Sequence, residues 1–256
     1  MSDRQHEFAL FSEEFSHAVA HKQTMITLTD TASVHRLQHV LRLQKSEAVI
    51  LFDNQVHAQC SLQEYAKNKA VLMIKEVKKN VPVLPELSVI LPLLKREALD
   101  DVVYACRELG VTRIYLASTE KSSRHTIAQS ELERLERVSI AAAEQSKNFA
   151  PCQIIGQGTL LSVSQILQSP ALAQFEGHKL CADISGKRWS ELFPEFEKTS
   201  KPFVICVGPE ADLTATEKEF LRNNGFTFCQ LGSTILRAQQ ATTVLIGIVR
   251  SLFFKI

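Results

Sequence analysis

Phe203-Val204-Ile205-Cys206-Val207-Gly208-Pro209-Glu210-Ala211-Asp212 decides the fold. Five apolar residues without polar alternation predict a strand buried on both faces. Gly208 permits a close backbone approach and Pro209 stiffens the turn. Thr214-Ala215-Thr216-Glu217 follows, a threonine with a glutamate three residues on, which predicts a capped helix start. Gly225 predicts the end of that helix. Strand, tight turn and helix form the repeating unit of an α/β domain.

The same rhythm extends in both directions. Strands are predicted at Leu87–Leu91, Arg113–Ala117, Gln153–Gly156 and Lys179–Ile184 upstream, and at Thr227–Leu231 downstream. A helix from Glu97 carries Leu99, Val102, Val103, Cys106 and Leu109 on one face and stops at Gly110. Ser130 with Glu133 predicts a second capped start, with Leu132, Leu135, Val138 and Ala142 as the apolar face. A last helix is predicted from Gln239 to Phe254. Strands alternating with helices predict a mostly parallel sheet covered on both faces.

The N-terminal part reads differently. Ala48–Phe52, Val56–Leu62 and Ala70–Ile74 are short strands at close spacing, the first ending at the turn pair Asp53-Asn54. They predict a small β-barrel, with a helix over Ala32–Leu41. Val81-Pro82-Val83-Leu84-Pro85 discourages helix and central strand alike. It divides the chain into residues 1–80 and 81–256.

Composition narrows the function classes. The 256 residues are 45% hydrophobic with a formal net charge of +1. No apolar stretch approaches the ~20 residues that span a bilayer. Residues Met1–Glu7 are polar, without a secretory apolar region. A cytoplasmic protein is the expectation. The six cysteines form no C-x-x-C pair and no zinc-like spacing, and His35 with His39 lacks further ligands, so no metal is expected. Arg36 and Arg42, together with Lys75, Lys78 and Lys79, are candidates for a local basic patch.

Ligands of open α/β sheets bind beyond the carboxyl ends of strands. Two such ends carry chemistry: Gly208–Asp212, and Leu231-Gly232-Ser233-Thr234-Ile235-Leu236-Arg237 before the last helix. Arg237 presents a planar fork suited to phosphate or carboxylate. A cation at a helix N-terminus gains nothing from the helix dipole, which favours another task for it. No G-x-G-x-x-G follows a strand, and neither a P-loop nor a G-x-S-x-G elbow is present.

Together these loops, in order, resemble the RsmE family of 16S ribosomal RNA uracil-N3 methyltransferases of the SPOUT superfamily. His39-Val40-Leu41-Arg42, Leu51-Phe52-Asp53, Arg107-Glu108-Leu109-Gly110-Val111 and Ala142-Ala143-Glu144-Gln145-Ser146 resemble further family motifs, so the likeness covers nearly the whole chain. It implies a PUA-like RNA-binding barrel over residues 1–80 and a SPOUT domain with a C-terminal trefoil knot over 81–256. It also implies S-adenosylmethionine as cofactor, the small ribosomal subunit and its 16S RNA as partner, and a homodimer with the last helix at its interface. Gly208, Pro209, Glu210, Leu231, Gly232, Ile235 and Leu236 would hold the cofactor. Arg237 and Glu210 would serve catalysis, and Arg36 and Arg42 the RNA.

The chain departs from the family at several points. Ala211-Asp212 stand for two glycines, Ala238-Gln239-Gln240 for Thr-Glu-Thr, Ala105 for a lysine, and Lys147-Asn148-Phe149 where an arginine is frequent. Three readings therefore stand side by side: the uracil-N3 enzyme, an enzyme for another RNA site, and a non-catalytic RNA-binding homologue.

Overall fold

The computed structural model describes residues 7–197 and 199–253, so Met1–His6 and Phe254 of the expected elements lie outside the described residues. The chain divides into two units, Met1–Val81 with Ala143–Pro151, and Pro82–Ala142 with Cys152–Ile256. The first division falls within the proline-rich stretch. The return of residues 143–151 to the first unit is not foreshadowed by composition.

The first unit contains β1 (Ala9–Phe11), α1 (Glu13–Ala20), β2 (Met25–Leu28), α2 (Thr31–His35), β3 (Ala48–Phe52), β4 (Val56–Ala66) and β5 (Lys69–Lys79). One five-stranded sheet runs β1-β3-β4-β5-β2, antiparallel except for β1 on β3. Strand pairing stops at β1 and β2, so among the described residues the expected barrel is a sheet whose end strands share no ladder. The helix α1 and both end strands escaped the sequence reading; for the strands, runs of three or four residues are too short to display alternation. Phe15, Leu28, Leu37, Leu51, Leu62 and Leu72 fill the core.

Local chemistry explains the turns of this unit. Asp53, 3% exposed, accepts from the Val56 amide at 2.7 Å and the Ser16 hydroxyl at 2.6 Å, which makes the β3–β4 reversal. Asp30 caps α2 by accepting from the Ser33 amide at 2.8 Å. The helix expected over 32–41 is α2 followed by one π-helical turn, Arg36–Val40. Phe149 packs on Phe52 with ring centroids 4.6 Å apart. Glu144 takes both arms of the Arg36 guanidinium, at 2.9 and 2.7 Å, and the Phe11 amide at 3.1 Å.

The second unit contains β6 (Leu87–Pro92), α3 (Arg96–Glu108), β7 (Arg113–Ala117), β8 (Thr126–Ile127), α4 (Gln129–Ser146), β9 (Gln153–Ile155) and β10 (Gly158–Thr159). It continues with α5 (Val163–Gln168), β11 (His178–Arg188), α6 (Trp189–Phe196), β12 (Phe203–Val207), α7 (Ala215–Asn223), β13 (Phe226–Gln230) and α8 (Ala238–Ser251). A six-stranded sheet runs β13-β11-β12-β6-β7-β9 and is parallel throughout; β8 and β10 form a separate antiparallel pair.

Alternate residues of the strands feed two cores. Val89, Leu91, Leu180 and Ile205 pack with α3 and α8 on one face. Ile90, Tyr115, Cys181, Val204 and Cys206 pack with α5 and α7 on the other. Both faces are thus covered, which is why the strands read as unbroken apolar runs. The Thr214 capping box forms as expected. The one expected at Ser130 does not: α4 begins at Gln129, and Ser130 lies inside its first turn. A capping box appears instead at Ser162 and Gln165 of α5.

One half-buried cation secures the end of α8. Arg250 donates to the carbonyls of Pro85 at 2.7 Å, Leu109 at 2.8 Å and Gly110 at 2.5 Å. Burial lowers its pKa to about 10. Gly110 has φ +72°, and a Cβ there would stand 2.8 Å from Val83 Cγ2, so glycine is required twice over.

Candidate active site

The sheet order sets β11 between β12 and β13. The carboxyl ends of these three neighbours surround a cavity of about 500 Å³, within the range usual for small-molecule sites. The loop from Val207 to Asp212 forms one wall and the loop from Gln230 to Ala238 another, with Ala241 of α8 behind. Gly208, Pro209, Glu210, Leu231, Gly232, Ile235, Leu236 and Arg237 all line it. Two reversals separated in sequence by α7 and β13 therefore share one space.

The third wall, Ala182–Ile184 of β11, was missed by sequence reading. Ala182 and Lys187 both register with Cys229, so residues 183–186 leave the ladder. Gly186 makes this possible: a Cβ there would lie 2.4 Å from the Cys229 nitrogen. The excursion turns on Asp183, which accepts from the Ser185 amide at 2.8 Å and hydroxyl at 2.6 Å. The available signal was the turn-forming Asp183-Ile184-Ser185-Gly186 inside an otherwise strand-like run.

The two glycines of the cavity differ. A Cβ on Gly208 would stand 3.3 Å from Leu213 Cγ and its nitrogen. A Cβ on Gly232 would meet nothing within 4 Å. The chain itself therefore has no steric need for a glycine at 232. Ile235 is 84% exposed and Ile184 54%, an apolar surface at the cavity that a ligand or partner would cover.

Charge is distributed unevenly. Arg237 is the N-cap of α8, with no side-chain capping bond. Its guanidinium and the exposed Glu210 carboxylate make no ion pair among the described residues. Asp183 and Asp212 instead share the Lys218 ammonium, at 2.7 Å each. Burial by itself would raise the Asp183 carboxyl, but the hydrogen bonds from Lys218 and Ser185 prevail and hold it below its ordinary value. Burial pushes Cys229 up to about 12, and a hydrogen bond with Cys206 followed by burial raises Cys181, so these thiols near the cavity remain protonated and are poor nucleophiles.

The other candidate residues lie in the first unit. Arg42 is exposed, with φ +51°. Arg36, expected to meet RNA, is engaged by the Glu144 carboxylate, which raises its pKa, and its side chain is 42% exposed. Its fork thus already has one partner within the first unit, with part of the side chain still open. Among the described residues there is no cluster of three or more metal-ligating side chains and no helix long and apolar enough to cross a membrane.

A parallel α/β unit with a small-molecule cavity at its strand ends is the class that fold and site define. Residues 82–250 match the family described as RNA methyltransferase domain, and the chain belongs to that family. The chain is 28% identical over 232 residues to ribosomal RNA small subunit methyltransferase E of Synechocystis sp., covering 90% of this chain and 74% of the relative. It is 27% identical to the protein of the same name from Rickettsia conorii, covering 90% and 91%. Among solved structures, ribosomal RNA small subunit methyltransferase E from Neisseria gonorrhoeae, bound to S-adenosyl methionine, superposes with a TM-score of 0.78 at 22% identity, covering 96% of this chain and 98% of that one. A methyltransferase from Legionella pneumophila in complex with SAM gives 0.74 at 18%, covering 89% and 91%.

Proposed function

We propose that this chain transfers a methyl group from S-adenosylmethionine to N3 of a uridine in the 16S RNA of the small ribosomal subunit, in the cytoplasm and as a homodimer. The observation that carries the reading is the convergence of Gly208–Asp212 and Leu231–Arg237 on one cavity, with Arg237 in no ion pair among the described residues. The residues present fit the cofactor. Gly232 leaves open space, Leu231, Leu236, Ala238 and Ala241 offer apolar walls, and the Glu210 carboxylate suits a cationic sulfonium. Backbone groups at Gly208, Pro209, Leu231, Gly232, Ile235 and Leu236 would hold it. Bound there, it supplies a methyl carbon that is already electrophilic.

The chain's own task is then alignment and charge. Uracil N3 is hidden in a base pair, so the base must leave its stack to enter the cavity. Negative charge builds on the uracil ring as N3 loses its proton. The Arg237 guanidinium offsets that charge from a fixed position at the start of α8. Arg42 and the exposed edge of Arg36 are the proposed RNA contacts of the first unit, which we read as the PUA-like domain. We read the second unit as knotted, as the family resemblance implies. The outer stripe of α8, with Val244 37% exposed and open space at Gly247, suits a second copy.

Calorimetry with S-adenosylmethionine and mapping of ribosomal RNA methylation in a knockout strain test the proposal. Micromolar binding and one lost uridine N3 methyl group are expected. A different lost methyl mark reassigns the target. Gln239, where the resembling family carries a carboxylate, favours the non-catalytic homologue as second reading; absence of cofactor binding would establish it.

A further inference from the structure

Two walls of the cavity are joined by one side chain on α7. We propose that Lys218 is a positioning residue that ties the β11 excursion to the Gly208–Asp212 loop, and so sets the width of the cofactor cavity. This rests on the reading of that cavity as the S-adenosylmethionine site.

Lys218 Nζ lies 2.7 Å from Asp183 Oδ2 and 2.7 Å from Asp212 Oδ2. The three side chains are 19%, 5% and 61% exposed, respectively, so the joint runs from the interior to the surface. Exposed ion pairs contribute little, but a buried carboxylate deprived of its counter-charge is costly. The contact to Asp183 is therefore the strong arm. Lys218 stands on a capped helix, which gives the tether a rigid base.

Asp212 gives the tether its second arm. It has φ +63°, a conformation that disfavours most side chains. Its Oδ1 accepts from the Leu213 amide at 2.7 Å while Oδ2 meets Lys218. Short polar side chains hold such backbones by local hydrogen bonds of this kind. Lys121 adds a further tie, donating to the Ala211 carbonyl at 3.2 Å. Where the resembling family has two glycines, this chain has a loop anchored by side chains. The Asp183 oxygens already receive bonds from Ser185 and Lys218, which leaves that carboxylate a structural part rather than a proton acceptor.

The test uses the full chain, S-adenosylhomocysteine as calorimetric probe, and hydrogen exchange without ligand. Lys218→Met should weaken binding about tenfold, with Lys218→Arg returning to within about threefold of wild type. Exchange in segments 183–186 and 208–213 should rise together in Lys218→Met. The double variant Lys218→Met/Asp183→Asn removes the stranded buried charge, so its melting temperature should recover while the binding loss persists. A purely structural role would restore both. Should Lys218→Met fail to fold, Asp212→Asn, at the exposed end, carries the test with an expected loss of about threefold. Binding within twofold of wild type in these variants, with unchanged exchange, overturns the proposal. If the wild-type chain binds no probe, the cofactor reading fails, and the exchange of the two segments still decides whether Lys218 joins them.

Discussion

Between Gly208 and Leu213 the chain satisfies itself, whereas between Leu231 and Arg237 it does not. In the first reversal the Asp212 amide bonds to the Pro209 carbonyl at 2.9 Å, the Asp212 carboxylate takes the next amide, and Pro209 and Leu213 are buried. In the second, no residue from 231 to 237 is buried, and among the described residues no hydrogen bond joins 231–236 to the rest of the chain. One wall is built by the protein, and the other presents itself outward. A cavity with one preorganised wall and one wall rich in unused groups is arranged for a ligand that completes the second.

Arg237→Ala tests the outward wall most directly. Transfer should fall by about 10²–10³-fold, as when one donor to developing charge is removed, while the cofactor Kd changes less than about threefold. Single-turnover assays with labelled cofactor and small-subunit RNA measure the first, calorimetry the second. Transfer at the wild-type rate would remove Arg237 from the mechanism.

Stability should respond next. Arg250→Met strips three carbonyls of their charged donor and should cost about 3 kcal/mol, which lowers the melting temperature by roughly 6–12 °C. This asks whether the helix that begins at Arg237 is held from its far end. An unchanged melting curve would show that it is not.

The glycines then separate the two walls. Gly232→Ala should leave stability within about 0.5 kcal/mol yet weaken cofactor binding about tenfold, because only the ligand occupies that space. Gly208→Ala should instead cost about 1 kcal/mol of stability as Leu213 gives way. If both variants lose stability equally, the contrast between the walls is lost.

The smallest effect concerns acid. Asp183 is held below its ordinary value of 3.8, so its contribution is complete above that value and is lost as pH falls through the lower folded one. The urea-midpoint difference between wild type and Asp183→Asn should be constant from neutral pH to about pH 5 and shrink below about pH 4. A difference that shrinks already above pH 5 would mean the Lys218 pairing is weaker than its geometry implies.

The parallel sheet was legible because strands buried on both faces leave unbroken apolar runs such as Phe203–Val207. Both loops of the site were legible because each joins such a run to a helix start. The third wall was not, since an excursion within β11 depends on where Cys229 lies across the ladder. The end strands of the first sheet, three and four residues long, carried too little pattern to read. Arg36 looked like a free cation because its partner Glu144 stands 108 positions away.

Local order of the second unit therefore belongs to the sequence alone: which stretches become the buried parallel strands, where Thr214 starts a helix, and which two turns hold glycine and polar groups. Those features depend on periodicity and on bonds between residues three or four apart. The meeting of positions 183, 208 and 232 around one cavity, the shared ammonium of Lys218 and the commitment of Arg36 to Glu144 were decided by the tertiary structure. Strand order and burial create these contacts, and neither is written in any single stretch of chain.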